Sequence, residues 1–198
     1  MSTVGRTYEQ LHSDEQWAYG RLADAELMQA AVALPPGRAV DLGGGQGRHA
    51  LALAALGFDV EVVDTSDAAL RQLGDQARAE ALALEPVRAN IAFYRPPPGL
   101  RLAVAALIFH VPARHASLQA ARAVGGGLEP EGMFYMSVPG FSRQTRGLVS
   151  DLFAEAGCST QWCVNHVVTR AERPRLPVSR RNETRALGIR KQVPAAHR

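Results

Sequence analysis

The chain has 198 residues, 46% of them apolar, a net charge of +3 and two cysteines, Cys158 and Cys163. That length and balance fit one globular domain, 1–198, with a core of its own, and two cysteines supply neither a disulfide framework nor a structural zinc site. No apolar run approaches the roughly 20 residues of a membrane span, and the polar stretch Met1–Gln10 lacks the apolar segment of a secretory signal, so a cytoplasmic protein without a membrane partner is expected.

Residues 1–12 read as a loose arm. Ser13 before Asp14, Glu15 and Gln16 is a helix N-cap with acids in the first turn. Trp17, Leu22, Ala25, Leu27, Met28 and Val32 carry a helical pattern to about Leu34, where Pro35-Pro36-Gly37 stops it. Ala39–Leu42 predicts a short buried strand ending in glycines. A helix follows from about Gly47 to Leu56, closed by Gly57. Asp59–Asp64 is the second strand, and Ser66 and Asp67 cap a helix running to about Leu82. Val87–Ala89 is a weak third strand.

After the proline-rich loop Arg95–Gly99, the apolar run Leu102–Phe109 predicts a central parallel strand covered on both faces. Pro112 starts a helix that ends at Gly125-Gly126-Gly127. Met133–Val138 is the fifth strand, and a helix covers about Thr145–Ala156. Thr160–Val168 and Thr184–Arg190 predict two late strands pairing as an antiparallel edge. A basic loop, 170–182, lies between them, and 192–198 is a tail. Five alternations of strand and helix predict an α/β fold with a mostly parallel sheet and helices on both faces. The arginines after Arg170 are scattered among Pro174, Pro177 and Pro194 without interleaved aromatics, so nucleic acid is not an expected partner.

The chemistry concentrates in Asp41-Leu42-Gly43-Gly44-Gly45-Gln46-Gly47. In a doubly wound sheet, ligands sit outside the carboxyl ends of the strands. Glycines there permit close backbone approach, and the helix that follows aims its N-terminus at the same spot. A dinucleotide fingerprint needs Gly-x-Gly-x-x-Gly. Here the spacing is Gly43-x-Gly45-x-Gly47, with Arg48 at the third position of that pattern. A carboxylate at Asp41 is awkward beside a pyrophosphate but suits a ligand that carries an ammonium group and no phosphate. S-adenosylmethionine is such a ligand. Asp64 ends the second strand about 20 residues beyond the glycines, where an acid can accept both hydroxyls of a ribose. The competing readings are a tight connection without a ligand, and a capping or loop role for Asp64.

The stretch from Ala39 through Gln46-Gly47-Arg48 to Asp64-Thr65-Ser66 resembles the class I S-adenosylmethionine-dependent methyltransferases. The tellurite-resistance-like branch is the most similar, on Gln46-Gly47-Arg48 and on Leu107-Ile108-Phe109-His110-Val111-Pro112. The resemblance covers roughly residues 15–140. It implies a Rossmann-like, doubly wound, seven-stranded α/β/α sandwich with an antiparallel last strand. It also implies S-adenosyl-L-methionine as cofactor and methyl transfer by direct displacement to a small-molecule acceptor at oxygen, nitrogen, sulfur or a chalcogen. Carried over, Gly43, Gly44, Gly45 and Gly47 cradle the methionine part, Asp41 holds its amino group, and Asp64 takes the ribose, with Thr65 beside it among the cofactor-binding residues. Asn90 and Ile91 hold the adenine. Phe109, read from the residues themselves, either stacks near the adenine or walls the pocket, or is an apolar strand residue of the core.

Three positions depart from the family pattern. Asn90 stands where an acid is common, Leu102 where strand four often begins with aspartate, and Glu129-Pro130-Glu131-Gly132 where Lys-Pro-Gly-Gly is usual. They keep open a cofactor binder without turnover; a dinucleotide-dependent oxidoreductase is the third reading.

Methyl transfer mainly needs alignment, and a base only where the nucleophile must lose a proton. His110, at the carboxyl end of strand four, is the candidate base; the other readings are a helix cap at Pro112 or a pocket wall. His49 reads as packing inside its helix. The histidines are scattered without carboxylates at ligand spacing, so no metal is expected. Tyr8, Trp17 and Tyr19 either form a lid or pack the first helix. Phe141 and Arg143 offer an aromatic and a cation after strand five, and His166, Arg170 and Arg173 would suit an anionic substrate. Phe109-His110-Val111-Pro112 is not the Asn/Asp-Pro-Pro-aromatic motif of nucleic-acid amino-methyltransferases. A monomer or homodimer is expected.

Overall fold

Alternating burial along the strands divides the interior into two cores, one on each face of a single sheet. In a computed structural model, residues 7–14, 17–140, 142–168 and 181–190 are described. Arg170, Arg173, Phe141 and the 192–198 tail lie outside them, as does the side chain of His166. The elements are α1 (Tyr8–Asp14), α2 (Ala25–Val32), β1 (Arg38–Leu42), α3 (Ala50–Ala55), β2 (Asp59–Asp64), α4 (Asp67–Ala79) and β3 (Leu84–Arg88). Then come β4 (Leu100–Ala106), α5 (Arg114–Gly127), β5 (Leu128–Pro139), α6 (Arg143–Glu155), β6 (Cys158–Val168) and β7 (Arg181–Arg190).

The seven strands form one sheet in the order β3-β2-β1-β4-β5-β7-β6. Strands β1 to β5 pair in parallel. Strand β7 runs antiparallel to both β5 and β6, and it is inserted between them. The expected Rossmann-like architecture with an antiparallel last strand is therefore present. Val40, Ala103, Phe134 and Met136 face the core under α5 and α6. Ala39, Leu102, Val104 and Tyr135 face the core with Leu27, Leu53 and Leu73, under α2, α3 and α4. The period of two sends neighbouring residues of one strand to opposite faces. Pro86 is accommodated because β3 is an edge strand, where a missing N–H breaks no ladder on the open side.

Several elements differ from the sequence expectation. The loose arm instead contains α1, and the single helix expected from Ser13 to Leu34 is broken. Trp17 at φ +58° and Gly20 at φ +81° turn the chain, and α2 starts only at Ala25. Leu22 and Val32, counted toward an apolar face, are exposed. Strand β4 ends at Ala106 rather than Phe109, because Leu107 adopts φ +58° and donates its N–H to the Ser137 carbonyl at 2.8 Å. The triplet Gly125-Gly126-Gly127 ends α5, as expected. A Cβ on Gly125 would sit 2.2 Å from the Ala156 carbonyl oxygen, so glycine there allows α5 to approach the end of α6.

A buried polar network flanks the start of α2. Asp24 is 2% exposed and lies at the N-cap position without capping the helix. Its carboxylate pairs instead with Arg48 at 2.7 Å, Arg185 at 3.3 Å and His49 at 3.5 Å, and accepts the Tyr135 hydroxyl at 2.8 Å. Arg185, fully buried on β7, also reaches Glu26 at 2.6 Å. Burial alone would raise the Asp24 carboxyl, but His49, Arg48 and Arg185 outweigh it and hold the group far below the usual carboxylate range. Asp24→Ala leaves Arg185 and Arg48 short of a partner and is expected to lower stability by about 3–5 kcal/mol in urea unfolding. Because the folded-state pKa is depressed, this contribution is present above about pH 4 and is lost as pH falls from there. The variant's stability should accordingly fall less steeply in acid than that of the parent chain.

Candidate functional site

The carboxyl ends of β1, β2 and β4 open into one pocket. The backbone of the glycine turn forms its floor. Gly43 donates its N–H to the Val63 carbonyl at 2.7 Å and adopts φ +65°. A Cβ there would lie 2.7 Å from Ile108 Cγ1, so glycine answers both a left-handed backbone and a close approach. Gly44 lies over Asp41, and a Cβ on it would be 3.0 Å from the Asp41 carboxylate.

Two acids face this pocket in opposite states. Asp64 is held by the backbone: Gly45 N–H donates to Oδ2 at 2.9 Å and Ser66 N–H to Oδ1 at 2.9 Å. Each oxygen keeps a lone pair for a further donor. Asp41 is 1% exposed, and neither carboxylate oxygen has a hydrogen-bond partner. Burial pushes its carboxyl up to about 7, against the opposing charge of Arg48 and the nearby Ala50 N–H and with help from the neighbouring Asp64 and Asp24. A buried acid without a donor costs free energy until something supplies one. A ligand ammonium group would be such a donor.

The predicted site residues divide three ways. Asp41, Gly43, Gly44, Gly45, Asp64 and Thr65 line the pocket together. Asn90 and Ile91 line an adjoining cavity that shares Gly43, Asp64, Thr65 and Ile108 with it. The Asn90 side-chain oxygen already accepts the Ala92 N–H at 2.9 Å. Gly47 sits behind the turn at φ +81°, against Leu73. Phe109 is buried edge-on to Phe134, with ring centroids 6.0 Å apart, and is a core residue rather than a wall of the glycine pocket. His110 is exposed beside a separate cavity with Pro112, Arg114, Thr145 and Leu148. Partial burial pushes its imidazolium pKa down.

The roof of the pocket escaped the sequence reading in part. Tyr8 and Tyr19 line it, as one of the two readings of those residues held. Trp17 packs against the core instead, with the Arg21 guanidinium over its ring. His12 was placed in the loose arm but is buried against the pocket. One signal was available. Thr7 and Gln10 exchange side-chain and backbone hydrogen bonds at 3.2 and 2.9 Å, the capping-box pattern that starts α1. Arg48 and His49 also line the pocket, held from behind by Asp24. Among the described residues no group of three His, Cys, Asp or Glu is placed to hold a metal, and no helix is long and apolar enough to cross a membrane.

Residues 14–94 match the family model of the tellurite resistance protein TehB. That span carries Asp41, the glycine turn, Asp64, Asn90 and Ile91. Hemagglutinin 1 of Eikenella corrodens is 41% identical over 64 residues, which is 32% of this chain; the match spans 20% of that protein. TehB from Haemophilus influenzae has a similar structure, with a TM-score of 0.69 at 16% identity over 85% of this chain and 63% of that one. An S-adenosylmethionine-dependent methyltransferase from Methanosarcina mazei gives a TM-score of 0.69 at 14% identity, over 87% of this chain and 100% of that one. The fold is that of the class I S-adenosylmethionine-dependent methyltransferases, proteins whose cofactor is S-adenosylmethionine.

The residues present fit that group: an unpaired buried acid, a cradle that a Cβ would fill, and a second acid with free lone pairs. Gly43→Ala places a side chain at positive φ, at about 1–2 kcal/mol, and displaces Ile108. It is expected to weaken S-adenosylhomocysteine binding by at least about tenfold in calorimetry. Binding equal to that of the parent chain would remove the cradle from the site.

Proposed function

We propose that this chain is a methyltransferase that passes the methyl group of S-adenosylmethionine directly to a small-molecule acceptor. The observation that carries the reading is Asp41, a buried and unpartnered carboxylate beside a glycine cradle, which asks for a cation rather than a phosphate. Bound S-adenosylmethionine would supply an activated methyl group that an acceptor's lone pair could take, with the carbon–sulfur electrons left on sulfur. Acceptors at oxygen, nitrogen, sulfur or another chalcogen meet that requirement.

The chain's own residues bind and align. Asp41 takes the ammonium group, and the backbone from Gly43 to Gly45 lies under the methionine part. Asp64, beside Thr65, faces the ribose, and Asn90 and Ile91 border the cavity assigned to the base. Ala106, Leu107, Ile108 and Val111 give that pocket an apolar side that excludes water from the reacting atoms. The small acceptor is supported by Tyr8, His12 and Tyr19, which line the pocket together with the glycine turn. His110 stands outside this pocket and is assigned no proton transfer.

Transfer of labelled methyl to small-molecule extracts or thiols tests the activity, and calorimetry with S-adenosylhomocysteine against NAD and NADP tests the ligand. Binding of NAD alone would sink the reading, and tight binding without transfer to any acceptor would point to a non-catalytic binder.

Asp41 gives the binding a pH signature. Its raised pKa of about 7 means the folded, ligand-free chain holds a proton that the unfolded chain has released. The group therefore lowers stability as pH rises from about 4 to about 7. Only the ionised form pairs with an ammonium, so S-adenosylhomocysteine should bind about tenfold more weakly at pH 6 than at pH 8, with little change above pH 8. Asp41→Asn should bind weakly and lose this dependence in calorimetric titrations across pH.

A further inference from the structure

Helix α1 brings a hydrogen-bond acceptor into the pocket, and the hydrogen-bond accounting around it fixes which atom that is. Ser66 Oγ has one proton and two lone pairs. It donates that proton to Glu9 Oε2 at 2.6 Å and accepts the Ala69 N–H at 3.2 Å. His12 Nδ1 lies 3.1 Å from the same oxygen. With the serine proton committed to Glu9, Nδ1 must carry the hydrogen and donate it. Glu9 is fit for its part: the Ser66 hydrogen bond, the Ala68 N–H and nearby cations hold its carboxyl low, against a smaller effect of burial, so it is an ionised acceptor. Burial of His12 disfavours the imidazolium, against the charges of Asp64 and Glu9. In the neutral ring with its hydrogen on Nδ1, Nε2 is a bare acceptor.

The direction of Nε2 is also set. A Cβ on Gly45 would lie 3.6 Å from both Nε2 and Cε1 of His12, and 4.0 Å from Asp64 Oδ2. The imidazole edge and the Asp64 carboxylate therefore face one space, opened by the absent side chain of Gly45. The helix is pinned in that position. The His12 carbonyl accepts from Gln72 at 2.7 Å, Gln72 accepts from Gln46 at 2.5 Å, and Gln46 accepts the Ala18 N–H at 2.8 Å.

Two acceptors converging on one space call for a ligand with two adjacent donors. We propose that His12 Nε2 accepts one hydroxyl of the cofactor's ribose diol while Asp64 accepts the other. This rests on the S-adenosylmethionine reading above and divides between two residues a task that the sequence gives to Asp64 alone. His12 is then a cofactor-binding residue delivered by the roof, and Ser66 and Glu9 are its positioning residues.

The test is calorimetry of the full chain with S-adenosylhomocysteine and with its 2′-deoxy and 3′-deoxy analogues. His12→Asn keeps a polar atom near the Nδ1 position and withdraws the Nε2 acceptor; His12→Gln places an acceptor near Nε2. In the parent chain, removing the hydroxyl that faces His12 should weaken binding about tenfold. His12→Asn should weaken S-adenosylhomocysteine binding by a similar factor and should show no further loss with that one deoxy analogue. His12→Gln should stay within about threefold of the parent. The inference is overturned if His12→Asn binds S-adenosylhomocysteine like the parent. It is equally overturned if the variant loses the same factor for all three ligands, as a merely disturbed roof would. Failure of the parent chain to bind S-adenosylhomocysteine at all would instead strike the cofactor reading, so the two failures are distinct.

Discussion

The carboxylate of Asp24 fixes the geometry on which the pocket depends. It sits between the end of the roof segment and α2, and it gathers Arg48 and His49 from the turn before α3, Tyr135 from β5 and Arg185 from β7. Four separate parts of the chain are thereby tied to one buried atom group. Such a network is weak support for net stability, since burying the charges costs what their attraction returns. Its effect is to specify one arrangement. Arg185 reaches Asp24 and Glu26 only because β7 is inserted between β5 and β6, so the antiparallel strand and the N-terminal segment fix each other. Arg48 and His49, held from behind, become a rigid wall of the pocket.

That arrangement also explains why Asp41 stays unpartnered. Arg48 is the nearest cation to influence it, yet its guanidinium is spent on Asp24 at 2.7 Å and on the Leu22 carbonyl at 3.0 Å. The opposing charge lowers the Asp41 carboxyl without satisfying it. Asp64, by contrast, is satisfied by two backbone donors and remains an ordinary acceptor. On the proposed reading one acid would meet neutral hydroxyls and the other a cation, although both lie at the ends of parallel strands and both face the same cavity. The distinction comes from burial and backbone donors rather than from residue type.

Much of this was legible from residue order. The acid–glycine turn, Asp64 at the next strand end, and the alternation of strands with helices are local patterns, and they fix the sheet and the pocket floor. What was not legible depends on distant contacts. Helix α2 starts only after Asp24, whose partners Arg48, Tyr135 and Arg185 lie far along the chain, and no local periodicity carries those contacts. The end of β4 at Ala106 follows from Leu107 turning to bond Ser137 on the neighbouring strand, so the apolar run overstated the strand; of the readings open for Phe109, the core one is observed. The glycines at 125–127 do end α5, but the close helix approach that Gly125 permits is set by the distant Ala156. The capping box at Thr7 and Gln10 was local, and it marks the one element that sequence could have supplied and did not.

The departures from the family pattern sort by the same logic. Leu102 is fully buried in β4 between β1 and β5, where an aspartate would need partners that its neighbours Ala39 and Met133 do not offer. Glu129 pairs with Arg101 at 2.6 Å on the strand beside it, at the amino ends of β4 and β5 and away from the pocket. Neither change reaches the site. Asn90 does, because it borders the cavity next to Asp64, but its side-chain oxygen is engaged in shaping its own loop through Ala92. An acid there would bring a third negative charge toward Asp41 and Asp64, and that charge would raise the Asp41 carboxyl further. The neutral amide keeps the loop's turn while leaving Asp41 within reach of ionisation near neutral pH, the state in which it can hold a cation.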